Sequence, residues 1–154
     1  MKTGVDETDI EILKLLQKNA ELTNKEIAAQ LHKAVATIHE RVRRLKEEGY
    51  IKRVVAILDR KLIDKSLISF SQVQLNDHTA ESLQNFEREV AMFPEVMECF
   101  QMTGQFDFIL RIATSDMEAY TSFYREKLAR LPNITTVQSF FVLSEIKSDT
   151  AYPL

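Results

Sequence analysis

The most constraining feature of this sequence is an internal repeat in its last two-thirds, in which one segment aligns with another 38 residues further on. The clearest match lies at the end of each copy, where Phe93, Pro94, Glu95 and Val96 align with Leu131, Pro132, Asn133 and Ile134. Four further apolar positions follow the same offset: Ile68 with Phe106, Phe70 with Phe108, Phe86 with Tyr124, and Val90 with Leu128.

Each copy has the pattern of a strand, a helix, a turn marked by proline and a second strand. The periodicity predicts strands at about 67–75, 95–103, 106–113 and 134–146, and helices at about 79–92 and 116–130. A doubled strand-helix-strand unit is typical of the ferredoxin-like βαββαβ fold, whose antiparallel sheet carries both helices on one face. The last two-thirds are therefore predicted to be α+β.

Three details of the predicted strands bear on assembly. The apolar phase slips between Phe70 and Val73, which predicts a bulge or a sheet edge there. The third strand has Phe106, Phe108, Leu110 and Ile112 on one face and Ile109 on the other, and the fourth has Val137, Phe141 and Leu143 opposite Phe140 and Val142. Two helices cover only one face, so we expect a homo-oligomer in which a second copy covers the other.

The first third predicts three helices. Asp6 and Asp9 start the first, which carries Ile10, Leu13 and Leu16. Thr23 and Glu26 form a capping-box pattern that starts the second, with Ile27, Ala28 and Leu31 buried. After a break at residues 32–34, an apolar stripe runs through the third helix, which ends before Gly49: Val35, Ile38, Val42 and Leu45.

Two short helices joined by a tight turn match the helix-turn-helix, whose second helix enters the major groove of DNA. The apolar stripe leaves one set of side chains facing outward, where they can reach base edges: Ala36, Thr37, His39, Glu40 and Arg43. Other basic side chains are better placed for phosphates, namely Arg41, Arg44 and Lys46, with Lys52 and Arg53 just beyond. A three-helix bundle that binds no DNA is the alternative for this segment.

The charge distribution favours the DNA-binding interpretation. Residues 1–60 carry 12 Lys and Arg against 10 Asp and Glu, whereas residues 61–154 carry 8 against 13. Within Lys33 to Arg53 there are seven basic and three acidic residues, which suits a small surface that meets a polyanion.

The segment from Asp6 to Ile51 resembles the N-terminal domain of the Lrp/AsnC family of transcription regulators, a winged-type helix-turn-helix. The run Arg41-Val42-Arg43-Arg44-Leu45, followed by Gly49-Tyr50-Ile51, is similar to the family pattern R-V-x-R-L-x-x-x-G-x-I. The family usually has Leu-Ser at the entry to the recognition helix, where this chain has Lys33 and Ala34. We therefore expect that helix to lack its hydroxyl cap, at a cost on the order of 1 kcal/mol, and to fray at its start.

The turn between the two repeats extends the resemblance. Thr103, Gly104, Gln105, Phe106 and Asp107 are similar to the T-G-x-[YF]-D signature of the family's effector domain. The resemblance implies that a small molecule, typically an amino acid, binds between subunits near Thr103, Gly104, Gln105 and Asp107, and that dimers can assemble further into octamers. Glycine lets backbone amides approach a ligand carboxylate, and the Asp107 carboxylate can pair with an α-ammonium group. Thr135 and Thr136 are weaker candidates, and a hairpin turn that needs Gly104 for its positive φ is the alternative.

The predicted organisation is a helix-turn-helix domain at residues 1–52, a linker strand and loop at 53–65, and a ferredoxin-like sensing and oligomerisation domain at 66–154. The linker strand is expected at Val54 to Leu58. Where the family often has proline and glycine in the following loop, this chain has Arg60 and Ile63.

Other functions have little support in the sequence. His32, His39 and His78 lack a cysteine partner or a cluster of carboxylates, so we expect neither catalysis nor a metal, and no cofactor. A single cysteine, Cys99, and a first segment without an apolar core predict a cytoplasmic protein, and no apolar run is long enough to span a membrane. The expected partners are double-stranded DNA, an effector and further copies of the chain. An amino-acid-binding subunit that regulates an enzyme remains the alternative.

Overall fold

The computed structural model describes residues 4–154, which divide into two compact units. One unit contains residues 4–57 together with Lys147–Leu154, and the other contains Leu58–Ile146. The first unit holds three helices, and the second holds four strands and two helices.

The N-terminal unit is built from α1 (Glu7–Lys18), α2 (Asn24–Leu31) and α3 (Val35–Glu47). Both predicted helix starts are confirmed: Asp6 with Asp9, and Thr23 with Glu26, each form a reciprocal capping box. The helices enclose one apolar core, and its fully buried members come from all three: Ile12, Ile27, Ala28, Ile38, Val42 and Leu45. Val35 is an exception to the predicted stripe, because it begins α3 and is about half exposed.

The break between α2 and α3 is a tight turn that His32 closes. His32 adopts a left-handed conformation with φ of 52°, and the Lys33 amide donates to the Ala28 carbonyl at 3.0 Å. The next helix begins after Ala34, which makes no side-chain capping hydrogen bond. The predicted absence of a hydroxyl cap at α3 is therefore confirmed.

The last residues of the chain belong to the N-terminal unit. The Gln17 side-chain amide donates to the Tyr152 carbonyl at 2.7 Å, and the Tyr152 amide donates to Gln17 Oε1 at 2.9 Å. The Gln17 carboxamide thus both donates a hydrogen bond to the Tyr152 backbone and accepts one from it. No sequence pattern predicts this contact.

The other unit is a four-stranded antiparallel sheet with two helices. Its elements are β1 (Leu67–Leu75), α4 (Ala80–Ala91), β2 (Val96–Gln101), β3 (Phe108–Thr114), α5 (Met117–Glu126), a short 3-10 turn (Leu128–Arg130) and β4 (Ile134–Phe141). The strand order is β2-β3-β1-β4, as the ferredoxin-like fold requires, and the prediction of that fold is confirmed.

One face of the sheet packs against both helices. The core joins strand residues with helix residues: Val73, Leu75, Phe108, Leu110, Ile112, Phe86, Val90, Tyr120, Phe123 and Leu128. Val90 and Leu128, paired by the repeat, are both fully buried. Phe70 and Phe108 are not equivalent, however, because Phe108 lies in the core and Phe70 points to the opposite face, where it is partly exposed.

The bulge or sheet edge predicted between Phe70 and Val73 is wrong, because β1 lies inside the sheet, between β3 and β4. The pairing of β1 with β3 is continuous from Leu67 to Val73, and the register shift of β1 lies against β4, between Gln74 and Leu75. The apparent phase slip arises because two serines, Ser69 and Ser71, occupy buried positions on the core face.

Ser71 belongs to a cluster of three hydroxyl groups. Its Oγ lies 2.9 Å from Ser139 Oγ and 3.3 Å from the Tyr120 hydroxyl, which also contacts Ser139. A serine is therefore tolerated in this core because neighbouring hydroxyls satisfy it.

The opposite face of the sheet carries exposed aromatic rings. One row across the four strands contains Glu98, Arg111, Phe70 and Phe140, in the order β2, β3, β1, β4. The next row begins with Phe100 beside Ile109. Phe100 is 52% and Phe140 49% exposed. Glu98 forms an ion pair with Arg111 in the same row as Phe70 and Phe140. The prediction that β4 is apolar on both faces is confirmed for Phe141 and Phe140.

Two predicted strand positions differ from the structure: the linker strand and the end of β4. Val54, Val55, Ile57 and Leu58 pair with no strand within residues 4–154 and are well exposed, so the predicted linker strand is wrong for the single chain. β4 ends at Phe141 rather than near residue 146, and Leu143 is fully exposed instead of lying on the core face.

We expect Tyr120→Phe to destabilise the protein by about 1 kcal/mol, because the hydroxyl cluster loses one member while the ring packing stays. Urea denaturation monitored by circular dichroism measures this change. Tyr124→Phe, the same loss of a hydroxyl on a partly exposed ring of α5, serves as the control and is expected to change stability less. Equal stability of wild type and Tyr120→Phe would contradict the role given to the cluster.

Candidate DNA-binding surface and effector site

The outward face of α3 carries the side chains predicted to reach bases. Ala36, Thr37, His39, Glu40 and Arg43 are all exposed, whereas Ile38 and Leu45 on the opposite face are fully buried. The structure therefore brings the predicted set together on one surface. His39 is further tied to the start of α2, since its Nδ1 lies 3.1 Å from Asn24 Nδ2.

A buried carboxylate on α1 holds two arginines of α3. Asp9 is fully buried, and its two oxygens bind Arg41 Nη1 at 2.9 Å and Arg44 Nη2. Arg41 Nη1 also binds Asp6 at 2.7 Å. The hydrogen bond from Arg41 is the main reason that the pKa of Asp6 is lowered. Arg41 and Arg44 thus fix α3 against α1, and their predicted contact with phosphates remains a prediction.

Arg43 lies on the exposed surface between two glutamates of its own helix. Its Nη2 binds Glu40 at 2.7 Å, and its Nη1 binds Glu47 at 3.0 Å. The hydrogen bond from Arg43 is the main reason that the pKa of Glu40 is lowered. Exposed pairs of this kind contribute little stability, and Arg43 can exchange them for a stronger acceptor. Lys46, Lys52 and Arg53 are also exposed.

These side chains border an open groove of about 610 Å³ along α3. Its lining is formed by Ala36, Thr37, Glu40, Arg41, Arg43, Arg44 and Glu47. Three guanidinium groups and the carboxylates of Glu40 and Glu47 therefore line this groove, so its charge is mixed.

The loop predicted to bind an effector connects β2 to β3. Thr103, Gly104 and Gln105 are exposed, and Gly104 has φ of 112°, a conformation that favours glycine. Asp107 closes the loop, because its carbonyl accepts from the Met102 amide at 2.7 Å and its own amide donates to Val73 at 2.9 Å.

Both carboxylate oxygens of Asp107 have partners inside the chain. Oδ2 accepts from the Leu75 amide at 2.7 Å, and Oδ1 lies 2.9 Å from His78 Nε2. The side chain therefore links the end of β1 to the loop that precedes α4. The predicted pairing of Asp107 with a ligand ammonium group stays a prediction, and the structure adds His78 to its surroundings.

The threonines Thr135 and Thr136 lie at the same end of the sheet. Both are exposed at the start of β4, where Thr136 faces Gln74 across the register. The loop at 103–107 and the start of β4 flank the end of β1 from opposite sides. Two strand spacings separate them, roughly 10 Å.

Sequence reasoning missed the ion-pairing role of Asp6 and Asp9 and the position of His78. Asp6 and Asp9 were recognisable only as helix-starting residues, because their partners on α3 lie more than 30 positions away in the chain. The sequence gives no sign of the contact between His78 and Asp107, since the two residues lie 29 positions apart.

Within residues 4–154, no group of three or more His, Cys, Asp or Glu side chains is arranged to hold a metal ion. Cys99 lies on β2, where burial raises the pKa of its thiol to about 11, with a further contribution from the charge of Glu87. The helices in the described part of the chain are all too short or too polar to cross a membrane.

Two family models match this chain. A winged helix-turn-helix DNA-binding model matches residues 5–52, and the Lrp/AsnC ligand binding domain matches residues 68–152. The chain is 36% identical over 149 residues to the HTH-type transcriptional regulator Zrp of Zymomonas mobilis, covering 97% of each chain. It is 32% identical over 143 residues to the leucine-responsive regulatory protein of Escherichia coli, covering 93% of this chain and 87% of that protein.

Solved structures of transcription regulators also match this chain. A transcriptional regulator from Neisseria meningitidis, solved as a complex with L-Met, superposes with a TM-score of 0.93 at 31% identity and 97% coverage of both chains. An AsnC family transcriptional regulator from Agrobacterium tumefaciens superposes with a TM-score of 0.92 at 32% identity, again with 97% coverage of both chains.

The fold, the exposed face of α3 and these matches define a transcription regulator that joins a helix-turn-helix DNA-binding domain to a small-molecule-binding domain. The chain belongs to the Lrp/AsnC family. The family suggested by the sequence motifs is therefore confirmed.

We expect Asp9→Asn to destabilise the N-terminal unit by about 1–3 kcal/mol, because two guanidinium groups lose their charged acceptor while remaining partly buried. Amide hydrogen exchange along α1 and α3 measures this effect locally. Glu7→Gln removes an exposed carboxylate from the same helix turn and is the matched control, with an expected change within about 0.5 kcal/mol. Unchanged protection of α3 in Asp9→Asn would show that the ion pairs do not anchor the helix.

Proposed function

We propose that this regulator reads double-stranded DNA with the exposed face of α3 and changes its DNA binding in response to an amino acid. In this proposal residues 1–52 read DNA, residues 53–65 link the domains, and residues 66–154 sense the effector and form the oligomer. The protein acts in the cytoplasm, where its DNA target lies, without catalysing a reaction.

The observation that carries the DNA-binding part is the division of α3 into two faces. Its apolar face is buried and two of its arginines are held by Asp9, so the helix has a fixed orientation. Its other face presents Thr37, His39 and Arg43 to the outside. An arginine on such a face can bind guanine with two hydrogen bonds, while Lys46 suits a phosphate.

The rival proposal is a regulatory subunit that binds an amino acid and acts on an enzyme. The match of residues 5–52 to a DNA-binding model favours DNA as the target. The exposed basic side chains of Arg43, Lys46, Lys52 and Arg53 support the same choice.

The amino-acid part of the proposal draws on the matched ligand-binding domain and on the L-Met complex of the Neisseria regulator. In this chain we assign the effector to the end of the sheet where the loop at 103–107 and the start of β4 flank β1. The candidate contacts are Thr103, Gly104, Gln105 and Asp107, with Thr135 and Thr136 on the far side of the strand.

We expect Arg43→Ala to relax sequence preference on DNA, because a bidentate contact with a base contributes about 1–3 kcal/mol of discrimination. Lys46→Ala should instead weaken binding to all duplexes alike and reduce the salt slope by about 1. Fluorescence anisotropy with a duplex enriched from a random library, and with a scrambled duplex, measures both.

Arg88→Ala removes an exposed arginine from α4 and is the control, with DNA binding like that of the wild type. If Arg43→Ala and Lys46→Ala both bind the enriched and the scrambled duplex as the wild type does, α3 is not the reading helix.

We also propose that a second copy of the chain covers the aromatic face of the sheet, giving a dimer that can assemble further into an octamer of four dimers. Phe70, Phe100 and Phe140 form an apolar surface on a face that no helix of the same unit covers. Removing such a surface from water is favourable at about 25 cal/mol per Å².

We expect multi-angle light scattering to give at least twice the 17.8 kDa chain mass at micromolar concentration. Phe140→Glu should lower that mass while far-UV circular dichroism stays unchanged, because a carboxylate would be buried at the interface. Gln84→Glu places the same charge on exposed α4 and should leave the assembly intact. A stable wild-type monomer would contradict the proposal.

A further inference from the structure

The exposed face of α3 carries two carboxylates, Glu40 and Glu47, and both bind Arg43. A surface that meets only phosphates is expected to carry cations instead, because a phosphate repels a carboxylate at close range. Neither glutamate therefore strengthens a contact with the DNA backbone. A favourable contact of either one with DNA needs a group that donates hydrogen bonds, and in the major groove such groups belong to the bases.

The two glutamates occupy different parts of the helix. Glu40 is the sixth residue of α3, whereas Glu47 is the last. The recognition helix of a helix-turn-helix contacts base edges with its N-terminal residues. Glu40 is therefore the better placed of the two carboxylates to reach a base.

Only one oxygen of Glu40 is used within residues 4–154. Its Oε2 accepts from Arg43 Nη2 at 2.7 Å, and its Oε1 has no hydrogen-bond partner there. A glutamate is ionised at neutral pH and then only accepts hydrogen bonds. The second oxygen is thus an exposed acceptor on the face of α3 that we assign to DNA.

Arg43 can keep its contact with Glu40 while it binds a base. Each Nη nitrogen of a guanidinium group carries two hydrogens, and each glutamate takes one of them. The other two can bind O6 and N7 of guanine, the commonest specific contact in the major groove. In that arrangement Glu40 orients the guanidinium group and keeps Oε1 for a neighbouring base.

The spacing of the two side chains suits adjacent base pairs. Three residues of an α-helix advance about 4.5 Å, and successive base pairs lie about 3.4 Å apart. The base amino group with which glutamate characteristically pairs in the major groove is N4 of cytosine. The pair at positions 40 and 43 is therefore matched to one cytosine and one guanine.

We propose that Glu40 is a specificity-determining residue whose Oε1 accepts a hydrogen bond from the N4 amino group of cytosine, in the base pair next to the guanine bound by Arg43. This inference rests on the proposed reading of DNA by α3, and it adds the base that Glu40 selects. Glu40 also disfavours other sequences, because at a base that offers no donor the carboxylate loses water without gaining a partner.

A library of random duplexes tests this assignment with four full-length proteins: the wild type, Glu40→Gln, Arg43→Ala and Glu11→Gln. Each protein is used to enrich its sites, and fluorescence anisotropy then measures the effect of single base-pair changes in the enriched site. Glu11 forms a pair with Lys14, three residues further along α1, at 2.8 Å. Glu11→Gln therefore breaks the same type of pair and changes the net charge equally, which makes it the matched control.

We expect the wild type to enrich sites with cytosine and guanine in adjacent base pairs, and replacement of that cytosine to weaken its binding about 5- to 150-fold. Glu40→Gln should lose the preference for cytosine and gain one for adenine, whose N6 and N7 a glutamine amide can bind. It should keep the preference for guanine. Arg43→Ala should lose the preference for guanine, and Glu11→Gln should select the wild-type site.

Three outcomes for Glu40→Gln would overturn the contact with cytosine. The variant could select the wild-type site, it could change binding to all duplexes alike as Glu11→Gln does, or it could lose only the preference for guanine, which would leave Glu40 the role of orienting Arg43. In each case a relaxed guanine preference in Arg43→Ala keeps α3 as the reading helix. If the wild type enriches no site, or if neither Arg43→Ala nor Glu40→Gln changes the enriched site, the proposed reading helix fails together with this inference.

Discussion

The buried carboxylate of Asp9 is the interaction on which the proposed DNA-binding surface depends. A fully buried charge is unfavourable unless oppositely charged groups compensate it, and here Arg41 and Arg44 of α3 do so. Since those arginines lie on α3, the proposed recognition helix, the compensation also fixes the rotation of that helix about its own axis. Arg43, one position away, is then directed outward. The same four-residue run, 41–44, therefore supplies both the anchor and the candidate reading group.

The ferredoxin-like unit divides its sheet in a similar way. Both helices cover one face, where two neighbouring serines, Ser69 and Ser71, lie among apolar residues and a cluster of three hydroxyls lies beneath α5. The opposite face keeps its aromatic rings exposed and contains the ion pair of Glu98 and Arg111. A surface with this mixture is suited to a specific protein partner, because the aromatic area supplies affinity and the charges restrict the geometry of contact.

The end of the sheet that we assign to the effector combines a carboxylate held by hydrogen bonds, Asp107, with an exposed loop. Asp107 joins the end of β1 to the loop that leads into α4 by two hydrogen-bonded contacts, so the loop at 103–107 ends at a fixed residue. Gly104 and its neighbours stay exposed. An effector bound there changes DNA binding only to the extent that it binds two arrangements of the assembly with different affinity, which typically gives a coupling of about 1–3 kcal/mol.

The sequence by itself determined the local features: both capping boxes, the three helices, the repeated strand-helix-strand unit and the family, because each depends on spacing within a few turns or on a motif. It could not determine contacts between distant positions. Asp9 with Arg41, Asp107 with His78 and Gln17 with Tyr152 are separated by 29 to 135 positions, and only the packed chain brings them together. The misplaced bulge has the same origin, since Ser69 and Ser71 look solvent-facing until Tyr120 and Ser139 show what surrounds Ser71. The predicted linker strand at residues 54–58 had an adequate apolar pattern, but a strand also needs a neighbouring strand to accept its hydrogen bonds, and within the described chain none lies beside it.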